Sequence, residues 1–184
     1  DTTFQQVFQS DSDAPAMDFA GRRITRDRAL GLSAVFACVR LLVDTVATLP
    51  FHEFEQRGKR HTETDPQPEW IDQPVPRDPS ITRVVHFQQV VSSLLIEGNS
   101  FTLGNPDVYR PAELRVLDPR VVEIRRKGDS APVYDIRDHR GGIIGTFSAD
   151  QIIHIPLIRL PGELRGISPL EAERQLFSGA AAIE

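Results

Sequence analysis

Three groups of residues in this chain have types and spacings that could do chemistry. The run Gly141-Gly142-Ile143-Ile144-Gly145 carries the glycines of a phosphate-cradling loop. Such a loop runs from a strand into a helix and needs a lysine, and neither context is present, so the glycines read as a hairpin turn. The run Gly166-Ile167-Ser168-Pro169-Leu170 begins like a nucleophile elbow. Its closing glycine is absent, and proline after the serine removes an N–H that could serve an oxyanion. Ser168 with Glu171 three residues on is instead a capping box, with Pro169 at the first helical position. The five histidines, His52, His61, His86, His139 and His154, share no metal-ligand spacing, and Cys38, the only cysteine, adds none. His154 lies between isoleucines in a predicted strand, which reads as a hydrogen-bonded structural histidine. No catalytic, cofactor-binding or metal-ligating residue is predicted.

The densest basic group is Arg120, Arg125, Arg126 and Lys127, with Arg137 and Arg140 adjacent across a hairpin. Interleaved acids, Glu123 and Asp129, dilute it. Two readings stand: a solvated sheet edge, or a contact surface on which Arg125 and Arg126 meet another protein surface. A net charge of −5 argues against a grip on nucleic acid through the overall field.

These residues must be positioned by helices and short strands. Ser33 to Leu49, closed by Pro50, predicts a helix with Val35, Val39, Leu42, Val46 and Leu49 on one face. Nearly every other position in it is apolar, so it should be covered on more than one side, by its own domain or by a neighbouring subunit. Phe51 to Glu55 reads as a short strand and Gln56 to Arg60 as a turn. The proline-rich stretch from Thr64 to Pro79 must be a loop with at most one helical turn around Glu69-Trp70-Ile71, pinned by Trp70. Ser80 is the expected cap of a second long helix, with Val84, Phe87, Val91, Leu94 and Leu95 at helical spacing and Gly98 just past its end. From there the pattern changes to apolar runs at 100–103, 114–117, 121–126, 133–137, 143–147 and 151–155, with hairpin turns at 127–130 and 139–142. The prediction is α+β: two long helices packed on an antiparallel meander, then a C-terminal helix.

The chain has 184 residues, 40% hydrophobic and 26% charged, enough for one globular domain with an appended arm. Residues 1–30 are polar without sustained period and read as a partly disordered N-terminal arm. No run is long enough to span a membrane, the start lacks a secretory pattern, and a cytoplasmic origin is expected.

Four segments, in order, carry a family resemblance: the helix at 33–49; Leu94-Leu95-Ile96-Glu97-Gly98-Asn99-Ser100-Phe101; Leu117-Asp118-Pro119-Arg120-Val121-Val122; and Asp150 to Ile155 followed by Gly166-Ile167-Ser168-Pro169-Leu170-Glu171-Ala172. Over about Leu30 to Ala172 the chain resembles the portal proteins, or head–tail connectors, of long-tailed bacteriophages and prophages. Val75 and Glu97 depart from the family's usual asparagine and aromatic. The resemblance implies a wing-like α+β domain over 31–184, truncated before the stem and clip. It implies a structural subunit, not an enzyme, with no cofactor. As partners it implies copies of itself in a dodecameric ring, the terminase large subunit, the major capsid or scaffold protein, a head–tail adaptor and double-stranded DNA passing through, with no membrane. The location implied is the virion's portal vertex, after assembly in the host cytoplasm. The competing readings are a small α+β hydrolase-like enzyme and a non-catalytic adaptor module.

Overall fold

In the computed structural model, the described residues are 33–104 and 113–169. The predicted arm and all but the first residue of the predicted C-terminal helix lie outside them.

Helix α1, Ser33–Ala47, ends just before Pro50, as the sequence predicts. Its packed face differs from the expected one. Val43 and Ala47 are buried, whereas Leu42, Val46 and Leu49 are exposed. With apolar residues all round the helix, periodicity cannot select a face; the partner does. That partner is helix α3, Arg83–Glu97. Gln88 of α3 donates to Asp44 at 3.0 Å and so fixes the rotation of α1.

Between them, β1 (Phe54–Arg57) and β2 (Arg60–Glu63) form a hairpin. The expected turn at 56–60 is narrower, with Gly58 in the left-handed region at φ 65°. The second strand escapes the sequence reading because Arg60-His61-Thr62-Glu63 is exposed throughout and shows no apolar alternation. Helix α2, Glu69–Asp72, is the single predicted turn. Trp70 anchors its loop as expected, through Phe51, whose ring lies 6.1 Å from Trp70 and 5.4 Å from Phe87 of α3.

The cap of α3 is Thr82, which accepts from the Val85 N–H, and not Ser80. Asp78 has captured Ser80, accepting from its N–H at 3.1 Å and its hydroxyl at 2.6 Å. The predicted C-terminal stop holds: Gly98 is left-handed at φ 69° and its N–H returns to the Leu94 carbonyl.

Six strands follow: β3 (Asn99–Gly104), β4 (Leu114–Leu117), β5 (Val122–Arg125), β6 (Val133–Arg137), β7 (Ile143–Ser148) and β8 (Ile152–Pro156). All pairings are antiparallel, as the α+β prediction requires. They divide between two sheets, β4-β3-β8 and β5-β6-β7, where the sequence suggested one continuous meander. The chain runs through the second sheet as a local meander and then returns β8 to β3.

The two sheets bury a common core of Phe101, Leu103, Leu117, Val122, Tyr134, Ile136 and Ile152. The opposite face of β3 carries Ser100 and Thr102, both buried, and α3 packs on this strand and on β4. The molecule is therefore layered as α1, α3, sheet, sheet. The glycine run is a hairpin turn: Asp138 accepts from the N–H groups of Arg140 and Gly142 at 2.9 and 2.7 Å.

Candidate functional site

The residues singled out in sequence do not form one reactive cluster. They form a structural knot and a polar sheet face.

The knot draws together three segments far apart in the chain: Gly98-Asn99, His154, and Gly166 to Ser168. Asn99 is almost fully buried at the start of β3. Its amide oxygen accepts from the Gly166 N–H at 2.7 Å, and its amide nitrogen donates to the Gly166 carbonyl at 2.9 Å and the Glu97 carbonyl at 3.0 Å. A primary amide has the donor and acceptor geometry of a peptide group, so Asn99 pairs with Gly166 as a neighbouring strand would. Since that oxygen is an acceptor, the His154 ring nitrogen Nε2, 3.1 Å away, carries its proton and donates.

His154 is thus the hydrogen-bonded structural histidine expected. Its ring stacks on Phe101 at 4.4 Å and meets Tyr134 edge-on at 5.9 Å. Burial, with the nearby positive charges of Arg165 and Arg159, lowers its pKa to about 4. The imidazole is neutral at pH 7. Below pH 6.5 the unfolded chain gains a proton that the native state refuses, so stability falls with pH down to about 4. Allowing for partial exposure, the loss is about 2 kcal/mol. A His154→Gln variant should lack this component, and urea unfolding at pH 7 and pH 4.5 measures it as the difference between the two proteins' pH dependences.

The backbone closes around this pair. The Leu157 N–H donates to the Gly98 carbonyl at 2.9 Å, and the Ile167 N–H to the Ile158 carbonyl at 2.8 Å. The Ser168 hydroxyl donates to the Ile96 carbonyl at 2.6 Å, tying the chain to the end of α3. That bond goes to a carbonyl and not to a base, so it does not activate the hydroxyl as a nucleophile. The cap role expected of Ser168 concerns a helix beyond the described residues. Gly98 and Gly166 touch through their backbones: a methyl on Gly98 would overlap the Ile167 carbonyl, and one on Gly166 would overlap the Gly98 oxygen.

Arg165 belongs to the same region, although nothing in the sequence singles it out. Its guanidinium donates to the Val122 carbonyl at 2.7 Å and the Pro119 carbonyl at 2.9 Å, and lies 5.3 Å from the Phe101 ring centroid. It joins the Leu117-Asp118-Pro119 turn to the returning segment. An arginine in an aperiodic loop carries no local signal of that role.

The polar face is the outer side of β5-β6-β7. Arg125 donates to both carboxylate oxygens of Asp135 on β6, through Nε and, at 2.8 Å, through Nη2. Asp135 is fully buried beneath it and also accepts from Thr146 at 2.6 Å. The bonds from Arg125 and Thr146 hold the Asp135 carboxyl below the usual carboxylate range. Arg137 pairs with Glu123, and Arg120 with Asp118. Arg126 is exposed and donates to the Ser130 carbonyl at 3.1 Å. Both candidate contact residues are exposed, but Arg125 is anchored on the buried Asp135 carboxylate of its own sheet, while Arg126 bonds to a backbone carbonyl of the adjoining turn.

Among the described residues, no three His, Cys, Asp or Glu side chains converge as metal ligands. His52 pairs with Glu63 at 2.6 Å, and His86 is buried in α3, where burial lowers its pKa. No described helix is long and apolar enough to cross a membrane.

Comparison with known proteins gives this architecture a family. Residues 33–184 match the model of the phage portal protein family. The chain is 35% identical over 178 residues to the "Probable portal protein" of Streptomyces phage phiC31, across 92% of this chain and 38% of that protein. It is 27% identical over 135 residues to Protein BeeE of Escherichia coli strain K12, across 65% of this chain and 85% of that one. In solved structures, the fold is similar to a chain in the neck of an empty GTA particle computed with C6 symmetry, with TM-score 0.64 and 20% identity. That likeness covers 92% of this chain and 49% of the other. A chain in the neck of the native GTA particle computed with C12 symmetry gives TM-score 0.63 at 20% identity, across 88% and 44%. The chain therefore spans well under half the length of the phiC31 protein and about half that of its structural neighbours. Its α+β fold is that of these neck chains, and by the match over residues 33–184 the chain belongs to the phage portal protein family.

Proposed function

We propose that the chain is the wing region of a structural subunit in a portal ring at a capsid vertex, the conduit for double-stranded DNA in packaging and ejection. The observation that carries this reading is the family match across every described residue. In this reading residues 1–30 are an arm and 31–184 the wing, and the stem and clip correspond to parts of the relatives that this chain does not span. Its partners are further copies of itself, the terminase large subunit, a head–tail adaptor, and the capsid or scaffold protein. It resides in the virion after assembly in the host cytoplasm. A ring of this kind works by shape: self-complementary surfaces hold the subunits, and energy for DNA movement comes from the separate motor. The net charge of −5 suits a conduit past which phosphate must slide.

Arg125 and Arg126 are candidate contacts to a neighbouring subunit, and their different settings make the idea testable. Arg126→Glu should leave the unfolding free energy within about 0.5 kcal/mol of wild type, since the position is exposed. It should nonetheless reduce the fraction of closed rings counted in negative-stain images. Arg125→Glu sets a second carboxylate against buried Asp135 and should cost about 3 kcal/mol of stability before any assembly is considered. Unchanged ring counts for Arg126→Glu would remove this residue from the interface, and the absence of rings in wild type would place the assembly contacts in the parts of the relatives that this chain does not span.

A further inference from the structure

Helix α1 has two apolar faces, and its own domain covers one. Val43 and Ala47 pack inward. Outward, Cys38, Leu41, Leu42, Thr45 and Leu49 recur at spacings of three and four, and Leu41 is 68% exposed. The charged residues of the helix, Arg40 and Asp44, pair with each other at 3.4 Å, and the Thr45 hydroxyl donates to the Leu41 carbonyl at 2.6 Å. The outward stripe thus carries no unsatisfied polar group that would demand water.

A second, unlike apolar surface lies on the edge strand β8. Register sets Ile155 opposite Ser100 and Ile153 opposite Thr102, so these four share one face of the sheet. Ser100 and Thr102 are buried beneath α3, but Ile153 and Ile155 remain 51% and 41% exposed. The exposed surface continues through Leu157, Ile158 and Leu160. Helix α3 packs on β3 and β4, and β8 is the edge strand about 4.8 Å beyond β3, so its helix-side face lies open beside α3 as a ledge against which a further helix can rest. Among the described residues no helix occupies it.

We infer that the outward stripe of α1 in one subunit lies on the helix-side face of β8 and the 157–160 segment of the next copy of this chain. The inference rests on the ring reading above. A two-fold dimer needs one patch that complements itself, whereas a cyclic ring needs two different patches that complement each other. This chain displays two, one a helix stripe and the other the open face of an edge strand with the segment that follows it. Exposed apolar patches of this extent on one domain mark interfaces more often than they mark open surface.

Cys38, the only cysteine, lies on the α1 stripe and supplies half of a test. Ile153→Cys, Ile155→Cys and Ile158→Cys would each be introduced singly, and the assembled protein oxidised with copper phenanthroline and run on a non-reducing denaturing gel. At least one variant should give a ladder of covalent multimers beyond the dimer, abolished by Cys38→Ser and absent in wild type. A disulfide needs Cα atoms within about 7 Å, so the ladder reports direct apposition. Wild type that gives covalent dimers through Cys38 alone would show α1 packing on α1 and overturn the pairing. So would a fast-migrating monomer, which would place both surfaces together within one chain. Rings visible by electron microscopy with no ladder from any variant would overturn the pairing and leave the ring reading intact, while a protein monomeric at every concentration would overturn the pairing and ring closure by this chain alone.

Discussion

Gly98→Ala is expected to lower the unfolding free energy by about 4 kcal/mol, the largest effect of any single methyl group in the described chain. Two costs combine. Gly98 sits at φ 69°, where a side chain costs about 1 kcal/mol. The added methyl would also overlap the Ile167 carbonyl carbon and oxygen and the Ser168 nitrogen. These are backbone atoms, which cannot rotate away, so the 166–168 segment must shift and lose its bonds to Asn99 and Ile96; overpacking of this kind costs about 3 kcal/mol. Urea unfolding at pH 7 measures the change. A loss near 1 kcal/mol would mean that the segment yields freely and that the close approach contributes little.

Asn99→Ala ranks second, at about 3 kcal/mol. Removing the amide strands the Gly166 N–H and carbonyl, the Glu97 carbonyl and the His154 Nε2–H in a buried site. Each orphaned group costs about 1 kcal/mol or more, and water can restore only some. Asn99→Asp separates the donor and acceptor roles. It keeps the acceptor for Gly166 and His154 but turns a carboxylate on two carbonyls, so it too should destabilise, and more so at pH 7 than at pH 4. If Asn99→Ala unfolds at the wild-type urea midpoint, Asn99 does not hold the knot.

The pieces of this knot are legible in sequence, and their convergence is not. Gly98 announces itself because a helix pattern stops there, and Gly166-Ile167-Ser168-Pro169 because it punctuates the approach to a helix. Nothing local says that the two glycines touch, since that contact is set by β8 pairing with β3 across about fifty intervening residues. The same distance hides the division of the strands into two sheets. Local chemistry also misleads where two residues compete for one position. Ser80 and Thr82 could both cap α3, and Asp78 decides between them by taking Ser80. In α1 the signal fails for the opposite reason, because almost every position is apolar and the buried face is chosen by α3. Arg125 reads as a free surface charge until the neighbouring strand supplies Asp135 beneath it.

Closure of this chain into a ring through its own surfaces is tested most directly by its mass in solution. Light scattering over a wide concentration range should give a mass that holds on dilution at a fixed multiple of the 20.6 kDa chain, twelve in a ring with the C12 symmetry of the neck it resembles. A mass equal to one chain at every concentration would contradict ring closure, for it would show that neither apolar face of this chain finds a partner on another copy.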